Sequence, residues 1–285
     1  MHHPIPFSKM HSLGNDFVMI DGVRNDIWIT RDLARYISDR KFGIGCDQIL
    51  VAEAPVDEET DFRFRIFNAD GSESAQCGNG ARCFARFLLD QGLTTKQRIP
   101  VSTLNTYMVL EFESNQRITV NMGEPVLEHS AIPFIGSTSD HIQTLCIDEY
   151  SLEFGIISMG NPHAVTLVKD VHNIDVGHIG KTIEHHPSFP ERTNVGFLQV
   201  DDSASIQLRV FERGVGETLA CGSGACAAVV SGNLRGFLDS NVNVSLPGGS
   251  LEVRWNGVGT PVYLCGDAQH VFDGQLNPNT SNLIK

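Results

Sequence analysis

The stretch "RIFNADGSESAQCGNGA" at residues 65–81 recurs without a gap as "RVFERGVGETLACGSGA" at 209–225, and no other feature restricts the fold as much. Arg65 aligns with Arg209, Phe67 with Phe211, Glu73 with Glu217, and the Cys-Gly-x-Gly-Ala core with itself. Cys77 and Cys221 therefore lie 144 residues apart in a chain of 285. At an offset of 146, Gly14-Asn15 meets Gly160-Asn161 and Gln48 meets Asn194. Self-similarity at half the chain length means one supersecondary plan used twice, and the length suffices for two cores.

Around these signals most segments read as strand. "DFRFRIF" (61–67), "YMVLEFE" (107–113), "RITVNM" (117–122), "IQLRVF" (206–211) and "SLEVRW" (250–255) alternate with a period near two, between turn residues. Helices are expected at "RDLARYISDR" (31–40), "GARCFARFLLDQG" (80–92) and "GACAAVVSGNLRG" (224–236), the last two stopping at glycine. The expected fold class is α/β of the α+β type. Two pseudo-symmetric domains arise from the duplication, each a curved, mostly antiparallel sheet or barrel around one central helix. The expected division is 1–121 with a returning 267–285 in one domain and 122–266 in the other. The segment 123–150 reads as a connector leading into the second half, and "NPNTSNLIK" as a frayed tail.

Each repeated cysteine is thus expected where a helix begins. A helix start offers unsatisfied N–H groups and about half a positive charge, which favours thiolate and binds carboxylates. A cysteine pKa of about 8.5 falls in such a setting. Glycines 78, 80, 222 and 224 clear side chains from the first turn, so backbone amides can reach a small anion. A single Cys-Gly-x-Gly is as readily loop geometry around a small hydrophobe; two copies argue for use, with an inherited fold constraint as the competing explanation. Cys83 and Cys226, further along the helices, read as packing residues, and Cys46, Cys146 and Cys265 carry no motif.

Bulk properties remove other classes. The 21 Lys and Arg against 34 Asp and Glu give a net charge of −13 and no basic stripe, which disfavours nucleic acid. No apolar run approaches the roughly 20 residues that span a bilayer, and "MHHPIPFSKM" lacks a secretory layout; the expectation is a cytoplasmic protein with no membrane partner. Seven cysteines without paired spacing read as reduced thiols. Ligand spacings typical of zinc are missing, so no metal is expected. His163 in "SMGNPHA" belongs to one half only, which does not match a two-fold arrangement of thiols, and no lysine follows the glycines as in a phosphate loop.

Two equivalent thiols suit one reaction well: one takes a proton from a tetrahedral carbon while the other delivers a proton to the opposite face. That inverts a stereocentre. Cysteine fits because both of its protonation states are reachable near working pH, and helix starts aimed at the neighbouring carboxylate would stabilise the carbanion.

Five motifs carry a family resemblance: "MHSLGNDFVMID" (10–21), "FNADGSESAQCGNGARC" (67–83), "SMGNPH" (158–163), "ERTNVGF" (191–197) and "ERGVGETLACGSGACA" (212–227). In this order they resemble diaminopimelate epimerase, from about residue 7 to "HVFDG" at 270–274. The resemblance implies a cofactor-independent isomerase, without pyridoxal phosphate, that interconverts LL- and meso-2,6-diaminopimelate for bacterial lysine and peptidoglycan synthesis. It also implies a site in the cleft between the two domains and a homodimer. By the same resemblance Cys77 and Cys221 are the catalytic pair, and Gly78-Asn79 and Gly222-Ser223 hold the reacting carboxylate. Asn15, Gln48, Asn68, Asn161, Asn194, Glu212 and Arg213 are then substrate contacts. The halves differ where Asn68 is replaced by Glu212 with Arg213 beside it, a pair suited to a second amino-acid end. His163 reads as an auxiliary group or a structural histidine, and Glu73 and Glu217 as helix-entry structure or tuning groups. The competing functions are a proline or hydroxyproline racemase and a non-catalytic amino-acid-binding protein on the same fold.

Overall fold

The computed structural model describes residues 4–74, 77–136, 140–147 and 150–277; most of the segment read as a frayed tail lies outside them. The chain divides into two compact units, one formed by residues up to 120 with those from 266 onward, the other by residues 121–265. In chain order the first unit carries β1 (Ile5–Ser12), β2 (Asn15–Asp21), α1 (Arg31–Ser38), β3 (Gln48–Glu53), β4 (Phe62–Asn68), β5 (Glu73–Ser74), α2 (Gly78–Asp90), β6 (Arg98–Ser102), β7 (Tyr107–Phe112) and β8 (Ile118–Asn121). The second carries β9 (Ile142–Ile147), β10 (Tyr150–Ser158), β11 (Pro162–Leu167), α3 (Val176–Glu184), β12 (Asn194–Asp202), β13 (Ser205–Glu212), β14 (Gly216–Thr218), α4 (Gly222–Leu234), β15 (Asn241–Leu246), β16 (Gly249–Arg254) and β17 (Tyr263–Gly266). A last strand, β18 (Gln269–Leu276), returns to the first unit and pairs antiparallel with β1, Ile5 opposite Leu276.

The duplication survives at the level of strand register. β2 runs parallel to β3 with Phe17 opposite Gln48, and β11 runs parallel to β12 with His163 opposite Asn194, the same pairing at an offset of 146. The next strand is antiparallel in both units, with Ile49 opposite Phe67 and Val195 opposite Phe211. A parallel pair needs a crossover; α1 supplies one and α3 the other.

Each helix is where side-chain chemistry permits one. Thr30 caps α1 by accepting from Leu33 N at 3.2 Å, and Asp175 caps α3 by accepting from His178 N at 3.0 Å. α1 lays Leu33, Ala34 and Ile37 on Val18, Ile20, Ile49 and Val51, while Ile179 and Ile183 of α3 meet Ala164, Val195 and Phe197. The opposite faces of these sheets receive the central helices, α2 against β1, β2, β3 and β7, and α4 against β10 to β13 and β16. In the first unit Phe84 of α2 stacks on Phe64, ring centroids 4.3 Å apart. Both central helices end alike: Gly92 N bonds Leu89 O and Leu93 N bonds Leu88 O, and Gly236 N bonds Asn233 O and Phe237 N bonds Gly232 O. With φ of 64° at Gly92 and 76° at Gly236, these are Schellman stops that require a residue without Cβ strain. Among the described residues no helix is long and apolar enough to cross a membrane.

Candidate active site

Cys77 is the N-cap of α2, and its Sγ accepts from Gly80 N at 3.2 Å; Cys221 is the N-cap of α4, and its Sγ accepts from Gly224 N at 3.4 Å. Oxygen-bearing residues normally take this place, so sulfur there in both units is a chemical choice. Glycine at the third helical position leaves the sulfur room. A Cβ on Gly80 would sit 3.1 Å from Cys77 Sγ, and one on Gly224 would sit 3.2 Å from Cys221 Sγ. Cys83 and Cys226, one further turn along, are fully buried, and burial pushes the Cys83 thiol up.

The approach to each thiol is a short hairpin closed by an ion pair that the repeat conserves. Arg65 holds Glu73 through Nε–Oε1 at 2.8 Å and Nη2–Oε2 at 2.9 Å, while Arg209 holds Glu217 at 2.6 and 2.8 Å. Such bidentate forks fix orientation as well as distance. Glu73 and Glu217 are thus bound across the β4–β5 and β13–β14 hairpins, which places them in helix-entry structure. Arg65 also lies over the Phe67 ring at 4.7 Å.

In the first unit the remaining sequence-derived residues form two groups. Asn15 Nδ2 donates to Asp47 Oδ2 at 2.8 Å, and Asn15 Oδ1 accepts from Asn79 Nδ2 at 3.3 Å. Arg82, fully buried, donates from Nη2 to Asn79 Oδ1 at 2.7 Å and to Ser12 Oγ at 2.8 Å. It ties the start of α2 to the β1–β2 turn. Beneath Asn15, Arg40 bonds Asp16 at 2.7 and 2.9 Å and Asp47 at 2.8 Å, and Lys9 bonds Asp16 at 2.6 Å. Burial works against the Asp16 charge, but the bonds from Arg40 and Lys9 win and hold its carboxyl at about 2. Separately, Gln48 Nε2 donates to Asn68 Oδ1 at 2.8 Å across β3 and β4, and Asn68 Nδ2 donates to Ser72 Oγ at 3.0 Å.

The second unit joins its residues into a chain that ends on the thiol. His163 Nε2 is 3.0 Å from Asn161 Oδ1 and 3.1 Å from Ser223 Oγ, which is 3.6 Å from Cys221 Sγ. Burial first, and the Arg213 charge second, push the His163 pKa down to about 3. The ring is therefore neutral at ordinary pH, and with the Asn161 oxygen facing Nε2 its one proton is assigned to that nitrogen, as donor to Asn161. Its Nδ1 is buried with no hydrogen-bond partner among the described residues. With its oxygen engaged, Asn161 keeps its NH2 for another acceptor.

Glu212 and Asn194 act on opposite sides of one turn. The Glu212 carboxylate accepts from Thr218 Oγ1 at 2.5 Å and from the Cys221 thiol. Asn194 spends both ends of its amide on backbone, donating to Pro162 O at 2.9 Å and accepting from Arg213 N at 3.0 Å. It braces Arg213, whose Nη1 reaches Glu191 O at 3.1 Å. A thiol-lowering effect is what a helix start suggests, yet Cys221 lies well above the ordinary range. Burial is the larger cause and the Glu212 carboxylate the next, and together they outweigh the bonds from Ser223 and Gly224.

Ser12, Asp47 and Arg82 belong to these networks, and Glu184 Oε1 accepts from Gly214 N at 2.6 Å beside Arg213; none of the four stands out in the sequence. Arg82 sits in "GARCFARFLL" with Arg86, and nothing local separates the buried arginine from its half-buried neighbour. Among the described residues no group of three or more His, Cys, Asp or Glu is placed to hold a metal ion.

Residues 7–128 and 155–271 match the sequence pattern of the family described as diaminopimelate epimerase. Solved structures with the same fold include a phenazine biosynthesis protein of the PhzF family from Bacillus anthracis, with TM-score 0.68 and 15% identity, covering 97% of this chain and 100% of that one. A hydroxyproline epimerase from Agrobacterium vitis, with bound trans-4-hydroxy-L-proline, has TM-score 0.68 and 16% identity over 96% of this chain and 92% of its own. A methylitaconate delta-isomerase follows at TM-score 0.64 and 14% identity, over 96% and 95%. At these identities the likeness concerns the fold, two pseudo-symmetric halves of mixed α/β structure.

Proposed function

This chain is an isomerase belonging to the diaminopimelate epimerase family, and from that premise we propose that it interconverts LL- and meso-2,6-diaminopimelate by proton transfer between Cys77 and Cys221. The observation that carries the reading is the paired N-cap geometry, one sulfur per unit, each held over the first turn of a glycine-cleared helix. In one direction the thiolate of one cysteine removes the α-proton, the electron pair spreads onto the α-carboxylate, and the thiol of the other cysteine protonates the opposite face. Reversal exchanges the roles. The N–H groups at Gly78-Asn79 and Gly222-Ser223 take the growing negative charge; a donor of this kind is worth about 3 kcal/mol elsewhere.

Substrate choice rests on the residues that the repeat does not share. Glu212 and Arg213 replace Asn68 and Ala69; Arg213 supplies a fork for a carboxylate at the end of the substrate that does not react, while Glu212, bonded to the Cys221 thiol, supplies an acceptor for ammonium beside the reacting carbon. A small cyclic amino acid has no such end. Neutral His163 serves this reading as the group that turns the Asn161 amide, and Asn15, Gln48 and Asn68 line the first unit's part. A cytoplasmic homodimer in lysine and peptidoglycan synthesis completes the proposal. Strand β18, hydrogen-bonded to β1 and to no other described strand, with Val271 and Phe272 exposed, is the surface that suits a second copy.

The deciding experiment is incubation of LL-diaminopimelate in heavy water, followed by NMR. Wild-type protein should wash deuterium into the α-position and produce the meso isomer, and Cys77→Ala and Cys221→Ala should each abolish turnover while leaving the fold intact. Full turnover by either variant refutes the two-thiol assignment. Exchange into proline or trans-4-hydroxyproline, with none into diaminopimelate, transfers the function to a racemase, and binding without exchange leaves a binding protein.

A further inference from the structure

We infer that Glu184 is a positioning residue that presents Arg213 to the non-reacting end of the substrate; the inference rests on the diaminopimelate reading above. Glu184 is the last residue of α3 and is 3% exposed. Two effects oppose a carboxylate there. The helix C-terminus carries partial negative charge, and burial removes the water that would solvate the ion. What repays it is a short bond from Gly214 N to Oε1 at 2.6 Å, with the Arg192 guanidinium 3.8 Å from Oε1 and the His185 ring 3.4 Å from Oε2.

That bond grips the turn immediately after Arg213. Gly214 has φ of 75°, and the preceding N–H, that of Arg213 itself, is held by Asn194 Oδ1 at 3.0 Å. Two successive amides of the turn are therefore fixed from two elements, α3 and β12. The exposed Arg213 side chain leaves a backbone that cannot swivel.

The first unit shows what this turn looks like without the task. Ser38 stands in the place of Glu184, as the last residue of α1. The corresponding turn, Asn68-Ala69-Asp70, is held the opposite way: its Asp70 carbonyl accepts from Arg35 Nε at 2.9 Å and Arg31 Nε at 3.3 Å. The helix-terminal carboxylate occurs only in the half that carries the Glu212-Arg213 pair. A general requirement of the fold would have kept it in both.

The test compares Glu184→Met, Glu184→Ser and Glu184→Gln by deuterium wash-in at varied diaminopimelate concentration, with thermal melts of each protein. Methionine preserves length without an acceptor for the amide, and serine copies the first unit; whichever of the two is folded at assay temperature serves. KM should rise about tenfold in those variants while kcat stays within about twofold, the signature of lost substrate positioning. Glu184→Gln keeps an oxygen for Gly214 N–H and should stay within about threefold of wild-type KM. An unchanged KM in the methionine and serine variants, a loss confined to kcat, or a glutamine variant no better than methionine overturns the inference. Wild-type protein that fails to label diaminopimelate ends the substrate reading instead.

Discussion

Replacing His163 by Gln should flatten the acid side of the stability profile, and the size of the effect follows from one buried ring. An unfolded histidine titrates near 6.5, whereas burial and the Arg213 charge hold the folded His163 at about 3. Because the folded pKa is the lower one, the unfolded chain binds the proton first, and stability falls as pH drops from about 6.5 toward about 3. Each pH unit in that window costs about 1.4 kcal/mol, so at pH 5 the wild-type protein should be about 2 kcal/mol less stable than at pH 7.5 on account of this group alone. The figure barely depends on the folded value, provided that value lies below about 4. Asp16, held at about 2, loses its contribution only at lower pH and does not enter this window. Glutamine places an NH2 where Nε2 was and cannot take up a proton, so urea unfolding at pH 7.5 and pH 5 should show the variant losing about 2 kcal/mol less than wild type between the two. Equal losses would mean that His163 is accessible to protons in the folded state, and would refute the neutral, Nε2-protonated donor to Asn161.

Gly80→Ala and Gly224→Ala should change stability by no more than about 1 kcal/mol, since added helix propensity offsets crowding. Each pushes a sulfur by a few tenths of an ångström from contacts of 3.1 to 3.2 Å, and steady-state turnover should fall about fivefold; wild-type turnover in both would count against the N-cap sulfurs. Glu212→Gln removes a negative charge that raises the Cys221 thiol. In a Cys77→Ala background, ultraviolet thiolate absorbance should appear at lower pH in the glutamine variant, and an unmoved or higher midpoint contradicts the Glu212–Cys221 contact.

Among the strands, most of those legible in sequence have one wet face. β4, β7, β13 and β16 alternate because one side of each faces away from the core, and their limits fall within two residues of the periodic runs. β2, β3, β11 and β12 carry four or five consecutive buried residues, between a helix on one face and a helix on the other, so no two-residue rhythm marks them. α3 was missed for a different reason. "VGHIGKTIE" has two glycines, and Gly180 is there because a Cβ would come within 2.5 to 2.7 Å of Phe211, a tertiary demand that local propensity does not announce. The same division holds in the site. The thiols and their glycines stand out because they occur twice, whereas Arg82, Asp47 and Glu184 occur once and look like ordinary charged residues until their burial or bonding is known.

The pairing of β18 with β1 has a consequence for how the protein comes into being on the ribosome. Residues 121–265 form a contiguous unit and can collapse as soon as they emerge. β1, made before that unit, must wait for residues 269–276 before its second hydrogen-bonding edge is occupied. The first half to be translated is thus the last to be sealed, and during that delay an open strand edge needs protection from pairing with another nascent chain.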